Sequence, residues 1–223
     1  MSYSKDLLRQ ILNKIDGKVA LSFSYQAEDV VVLHLLSQCK IKSLEVFTLD
    51  TGKLFDECKE LHKETEKFFK ISIKKYLPKK NDVKNMENKL GFLGMRESLE
   101  NRHLCCHVRK TKPLGRALKD KNAWITGLRA AQSITRSELR FVEYDEKFDL
   151  FKINPIVSWS EEDVFGYIKK YNLPLNSLYS RGFKSIGCEP CTRAVKNHED
   201  VRAGRWWWEN PEHKECGLHV KER

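Results

Sequence analysis

Two cysteine pairs carry the clearest chemical signal in this chain of 223 residues. "HLCCHVRK" holds Cys105 and Cys106 side by side, and "IGCEPCTR" holds Cys188 and Cys191 as a C-x-x-C. Together they offer four thiolates, a complete ligand set for a tetrahedral metal or an iron–sulfur cluster. Structural zinc sites take pairs spaced so that both sulfurs turn onto one ion. Adjacent cysteines suit that geometry poorly, whereas neighbours can reach different irons of a larger core. The spacing favours a cluster. Zinc, and four unliganded thiols, stay as alternatives.

The seven cysteines are an odd number, which argues against a disulfide framework. Cys39, in "LLSQCK", and Cys58, in "FDECKE", sit in helical patterns and read as small core residues. Cys216 stands apart, in "GRWWWENPEHKECGLH", with Arg202, Arg205, His213 and His219 near it in the chain. Nearby cations raise a thiol's thiolate fraction, and the thiolate is the nucleophile. One reactive thiol beside an anion site suits attack on an activated anionic group. If that group is then reduced, one cysteine cannot supply both electrons, and no C-x-x-C is left free. Exchange with an external dithiol is therefore the expected closing step.

These residues need a scaffold, and the pattern predicts one of alternating strands and helices. "VALSF", "SLEVFTLDTG", "ISIKKY" and "NAWITG" read as strands, with helices after the first two. "LRFVEYDEKFDLFKINPI" reads as two strands around a turn, and "SEEDVFGYIKKYN" as a helix capped by Ser160. This implies an α/β fold, a parallel sheet with helices on both faces. Residues 78–104 carry less pattern and read as a mobile cover. Residues 173–223 read as irregular. The simplest organisation is one domain: 1–200 forms the α/β body with the cysteine ligands, and 201–223 an arm carrying Cys216. Ligands of such sheets bind beyond the carboxyl ends of the strands, where "SFSYQAED", "LDTG" and "TGLR" fall. Ser22 and Ser24 are candidates for an anion site there, or simply cap the helix.

The formal net charge of +10 suggests an anionic partner without choosing one. The lysine-rich stretch 74–84 reads as a solvated surface. No run has the length a membrane span needs, and the N-terminal amphipathic helix lacks a signal peptide's apolar core, so a cytoplasmic location is expected.

"CCHVRKTKPL", "TGLRAAQSITR", "SIGCEPCTR" and "GRWWWENPEHKECGLH" resemble the assimilatory adenylyl-sulfate reductases, the cluster-bearing branch of the phosphoadenylyl-sulfate reductase family. The resemblance runs from "SFSYQAED" to "ECGLH". It implies a Rossmann-like fold of the adenine-nucleotide alpha-hydrolase type. It implies that Cys216 attacks the sulfur of adenylyl sulfate, expels AMP and leaves a cysteine S-sulfonate, from which thioredoxin releases sulfite. It implies a [4Fe–4S] cluster on Cys105, Cys106, Cys188 and Cys191. By the same resemblance Lys110 lies between cluster and substrate, and Arg129, Arg202 and Arg205 hold phosphate and sulfate. His219 matches the histidine after the nucleophile, and Ser22, Ser24 and Thr51 match the nucleotide loops. The resemblance leaves a homo-oligomer open. The departure is at "SFSYQAED", where many relatives have a glycine around Ser24 or Tyr25; the tyrosine is expected to narrow the loop.

Three other readings compete. The enzyme could use 3′-phosphoadenylyl sulfate as well or instead. Related folds activate substrates with ATP, but the glycine-rich pyrophosphate loop that chemistry uses is not in this sequence. Positive charge, Trp206, Trp207 and Trp208, and four cysteines could describe a zinc-stabilised nucleic-acid-binding module, which leaves "ECGLH" unexplained. The reductase reading expects no nucleic-acid or membrane partner.

Overall fold

The computed structural model describes residues 2–39, 41–133, 136–210 and 214. Its frame is a six-stranded sheet in the order β3-β2-β1-β4-β6-β5. The strands are β1 (Val19–Ser22), β2 (Leu44–Leu49), β3 (Ile73–Tyr76), β4 (Ala123–Ile125), β5 (Val142–Asp145) and β6 (Leu150–Ile153). Every pairing is parallel except that of β5 with β6. That exception follows from the short link, since parallel neighbours need a crossover of a dozen residues or more.

Side-chain alternation along these strands builds a core on each face of the sheet. Val19, Leu21, Val46, Ile125 and Ile153 point to one face, where they join α1 (Ser2–Leu12), α2 (Ala27–Ser37), α3 (Asp56–Phe69) and α7 (Glu161–Tyr171). Ala20, Phe47, Trp124 and Leu150 point to the other and meet Leu114, Ala117 and Leu118 of α6 (Lys112–Leu118). Helices thus cover both faces, as the alternation predicts. The Ser160 cap of α7 is also present: Ser160 Oγ accepts from Asp163 N, and Ser160 N donates to the Asp163 carboxylate.

Residues 78–104 depart from expectation. They form α4 (Lys80–Leu90), a 3-10 turn at Gly94–Arg96, and α5 (Leu99–Cys106), whose N-cap Ser98 accepts from Asn101 N. The apolar stripe of α4 is only Val83, Met86 and Leu90, too thin to stand out among its lysines. It packs beside the cysteine pairs. Among the described residues no helix is long and apolar enough to cross a membrane.

Candidate active site

The chain runs from β1 outward to β2 and β3, then returns to place β4 on the other side of β1. Such a reversal opens a crevice at the carboxyl ends of the two central strands. A pocket lies there, and Ser22, Ser24, Thr51, Lys110, Arg202 and Arg205 all line it. Arg129 does not. It is buried behind the pocket, donating to Glu28 Oε1 at 3.0 and 2.9 Å and to Trp159 O at 3.2 Å. Cys216, His219 and His213 lie outside the described residues.

The loop after β1 is held by its own side chains. Ser22 Oγ accepts from Trp124 Nε1 at 2.9 Å, and both the amide and the hydroxyl of Ser24 donate to Asp29 Oδ2, at 2.5 and 2.6 Å. Ser24 does not cap α2: the N-cap position is Gln26, without a side-chain cap bond, and the Ser24 hydroxyl is spent as a donor to Asp29. Tyr25 has φ +67°, a left-handed backbone that glycine adopts without steric cost. Its ring turns inward beside Phe23, and its hydroxyl meets His62 Nδ1 at 3.1 Å. Burial pushes that phenol up to about 12.

Asp29 stands in the first turn of α2, where acids are common, and its sequence context does not mark it as the pocket residue it is. Burial pushes its carboxyl up to about 7; the Ser24 bonds oppose the shift and the Glu28 charge adds to it. Gly127 faces it so closely that a Cβ there would lie 2.6 Å from Asp29 Oδ1. The folded protein therefore binds a proton here more tightly than the unfolded chain, and stability falls as pH rises from the ordinary carboxylate range to about 7. Each pH unit weighs at most about 1.4 kcal/mol. Asp29→Asn is expected to flatten that slope. Urea unfolding of both proteins at pH 5 and pH 8 measures it; equal slopes would show that Asp29 ionises normally.

The basic side of the pocket is built from two distant segments. Lys110 sits in a π-helical turn, His107–Thr111, that joins α5 to α6. Such turns often mark functional positions in helices. Arg205 Nη1 donates to Ile186 O at 3.0 Å, and its guanidinium lies 4.6 Å from the Trp206 ring centroid. Its Nε has no partner among the described residues. Gly187 leaves the space this guanidinium occupies: a Cβ there would fall 2.5 Å from Arg205 Cζ. Arg202 Nη2 donates to Lys214 O at 2.6 Å.

Next to this pocket is a second, enclosed space. Cys105 and Cys106 reach it from the end of α5, and Cys188 and Cys191 from a 3-10 turn at Glu189–Cys191. All four are more than nine-tenths buried. Lys53, Arg102, Arg109 and Lys110 supply cations around them; Glu87 faces Lys53 and Arg109, and Glu209 faces Arg102. Among the described residues no three His, Cys, Asp or Glu side chains converge as a site for a single metal ion. Burial raises the Cys105 thiol, and pushes that of Cys191 up to about 11. Cys188 behaves oppositely. Burial raises it too, but Lys110, the Thr51 hydrogen bond, Arg205 and Arg109 together bring it below the ordinary thiol value. Thr51 Oγ1 lies 3.3 Å from Cys188 Sγ. Lys110, Cys188 and Trp206 border both spaces, so one wall separates pocket from cysteine cavity.

Sequence reasoning also missed Arg109, Gln132 and Arg136. Arg136 lines the pocket and donates to Gln132 Oε1 at 2.5 Å, while Gln132 Nε2 donates to Glu28 Oε1 at 2.9 Å. The one sequence signal for Gln132 and Arg136 was position, inside the "RAAQSITR" that follows β4; that for Arg109 was its place three residues after Cys106.

A family model for the phosphoadenosine phosphosulfate reductase domain matches residues 18–194. A protein of Allochromatium vinosum named adenosine 5′-phosphosulfate reductase is 44% identical over 217 residues, covering 97% of this chain and 84% of its own length. One of Agrobacterium fabrum with the same name is 46% identical over 206 residues, covering 92% of this chain and 79% of its own length. Among solved structures, a phosphoadenylyl-sulfate reductase of Candida auris, in a phosphate complex, matches with a TM-score of 0.70. It is 25% identical and covers 86% of this chain and 90% of that one. An FMN adenylyltransferase of Candida glabrata reaches a TM-score of 0.60 at 16% identity, covering 100% of this chain and 75% of that one, a likeness of fold alone.

Proposed function

The chain belongs to the phosphoadenosine phosphosulfate reductase family, and from that premise we propose that it reduces adenylyl sulfate to sulfite and AMP, in sulfate assimilation. The observation that carries the reading is the pocket at the strand reversal, where Lys110, Arg202 and Arg205 converge and Cys188 forms part of the wall. Guanidinium forks match the oxygens of phosphate and sulfate, and a fixed ammonium adds charge without directional demand. Relatives at 44–46% identity are named for the substrate without a 3′-phosphate.

In the proposed reaction the Cys216 thiolate attacks the sulfur of the sulfuryl group. The bond from that sulfur to the phosphate oxygen breaks, and AMP leaves with the electron pair. The product on the enzyme is a cysteine S-sulfonate. Lys110, Arg202 and Arg205 hold the anionic groups in line, and His219 acts with the nucleophile. One thiolate of reduced thioredoxin then attacks the Cys216 sulfur and displaces sulfite. The second thioredoxin thiol resolves the mixed disulfide, so the two electrons come from the dithiol. The tryptophans beside Arg205 help exclude water from the adduct.

Cys105, Cys106, Cys188 and Cys191 would hold a [4Fe–4S] cluster. The donor set fits: four buried thiols share one cavity, and the surrounding cations offset the charge of a four-thiolate centre away from water. When bound, the cluster supplies a fixed charge beside the pocket rather than electrons for the substrate.

The test is anaerobic incubation with adenylyl sulfate and no thioredoxin, followed by intact mass and peptide mapping. A sulfonate on Cys216 of an iron-containing protein is expected. An iron-containing protein without that adduct sinks the mechanism.

A further inference from the structure

Arg102 and Glu209 form an ion pair that the proposed reaction does not use. The Arg102 side chain is wholly buried and that of Glu209 is 7% exposed. Arg102 Nε and Nη2 donate to the two carboxylate oxygens at 3.0 and 2.8 Å. Arg102 lies one helical turn before Cys105 and Cys106 on α5, close enough for its guanidinium to interact with the Cys106 thiol. Glu209 directly follows the three tryptophans, and its amide donates to Trp206 O at 2.8 Å.

Other contacts fix the same short segment to the second cysteine pair. Trp206 N donates to Cys191 O at 3.1 Å, and Arg205 forms an antiparallel bridge with Thr192. The Arg102 guanidinium lies 4.7 Å from the Trp206 ring centroid, with that of Arg205 at 4.6 Å. Trp206 has φ +42°, which a bulky residue keeps only where its surroundings dictate it. Residues 205–209 are thus tied to both cysteine segments at once. Cys216 follows Glu209 by seven residues, a reach of at most about 25 Å.

We propose that the Arg102–Glu209 pair is a positioning device that couples the state of the four-cysteine cavity to the placement of the segment bearing Cys216. It rests on the reading of Cys216 as nucleophile. Cys106 and Glu209 share one guanidinium. With the four thiols committed to a common centre, α5 is tethered to residues 188–191 and the fork is held facing Glu209. Without that centre the link through the sulfurs is lost, and the orientation of the fork rests on its contacts with residues 205–209.

Lys214 gives a readout that does not depend on activity. Its carbonyl accepts from Arg202, and its ammonium donates to Ala203 O at 3.3 Å. Trypsin cleaves after lysine, and Lys214 is itself held against residues 202–203. Initial tryptic cleavage there is measured for iron-loaded and chelator-stripped protein, in wild type, Glu209→Gln and Glu209→Asp. Stripping is expected to speed wild-type cleavage about tenfold, a typical size for coupled sites. Glu209→Gln is expected to keep its iron and AMP affinity, yet to be cleaved rapidly in both states and to form the S-sulfonate about tenfold more slowly. Glu209→Asp, which keeps the charge, is expected to fall between and carries the test if the glutamine variant does not fold. Wild-type cleavage insensitive to iron overturns the coupling. Loss of iron in both variants shows that the pair merely holds the cysteine site, and overturns it too. If the cleavage pattern appears but wild type forms no adduct, the coupling stands and the reductase mechanism fails.

Discussion

Replacing Cys216 by serine is expected to lower sulfite release by about 10⁴-fold or more, while iron content and AMP binding stay at wild-type levels. The magnitude is that of removing a covalent nucleophile whose partners cannot substitute for it. No other thiol is ready to replace it. Cys58 is buried and pushed up to about 11, burial raises Cys39, and the remaining four share one enclosed cavity. A thioredoxin-coupled sulfite assay, read beside visible absorbance, checks the result. Sulfite release at the wild-type rate would remove Cys216 from the mechanism. Loss of iron with activity would make it a structural residue.

Arg205→Ala is expected to cost about 10²–10³-fold in kcat/KM, the range for removing one pre-organised donor to an anionic transition state. The arginine is fixed before any substrate arrives. Ile186 O holds Nη1, the Trp206 ring lies against the guanidinium, and Nε remains without a partner among the described residues. Arg205→Lys should rescue little, because an ammonium has no fork and cannot stack in the same way. Gly187→Ala should reproduce most of the loss while leaving Arg205 in the chain, since the added methyl overlaps the guanidinium. Steady-state kinetics on the three variants decide the matter. A glycine substitution without effect would show that Arg205 can work from another position.

Much of this was legible in the residues. The strands announced themselves because short apolar β-branched runs ended in turn residues, and the Ser160 cap because serine, acid and apolar positions fell in the order a helix start requires. The cysteine pairs were visible as pairs because their type is scarce and their chemistry narrow. What stayed hidden depended on contacts across the chain. Helix α4 packs three apolar side chains among its lysines, with Met86 alone of the three fully buried, too few to show as a period. Asp29 looked like any first-turn acid until burial and Gly127 gave it a pocket. Arg129 looked like Arg202 and Arg205, and nothing local says that Glu28 has claimed it. Nor does "SFSYQ" reveal that Tyr25 takes the backbone conformation glycine would take; only the packing of its ring against Phe23 and His62 makes that tolerable.

The Arg102–Glu209 pair spans 107 positions of the chain. During vectorial synthesis at 5–20 residues per second, roughly 5–20 s separate the emergence of its two members. The sheet residues from β1 to β6 all precede Glu209, so a nascent chain can pair every strand while the cysteine cavity still lacks a wall. If the four cysteines hold the proposed cluster, its loading would fall late in biogenesis, on a body whose sheet is already assembled. An interrupted nascent chain ending before residue 188 would present two of the four cavity cysteines, Cys105 and Cys106, and an open cavity to the cell.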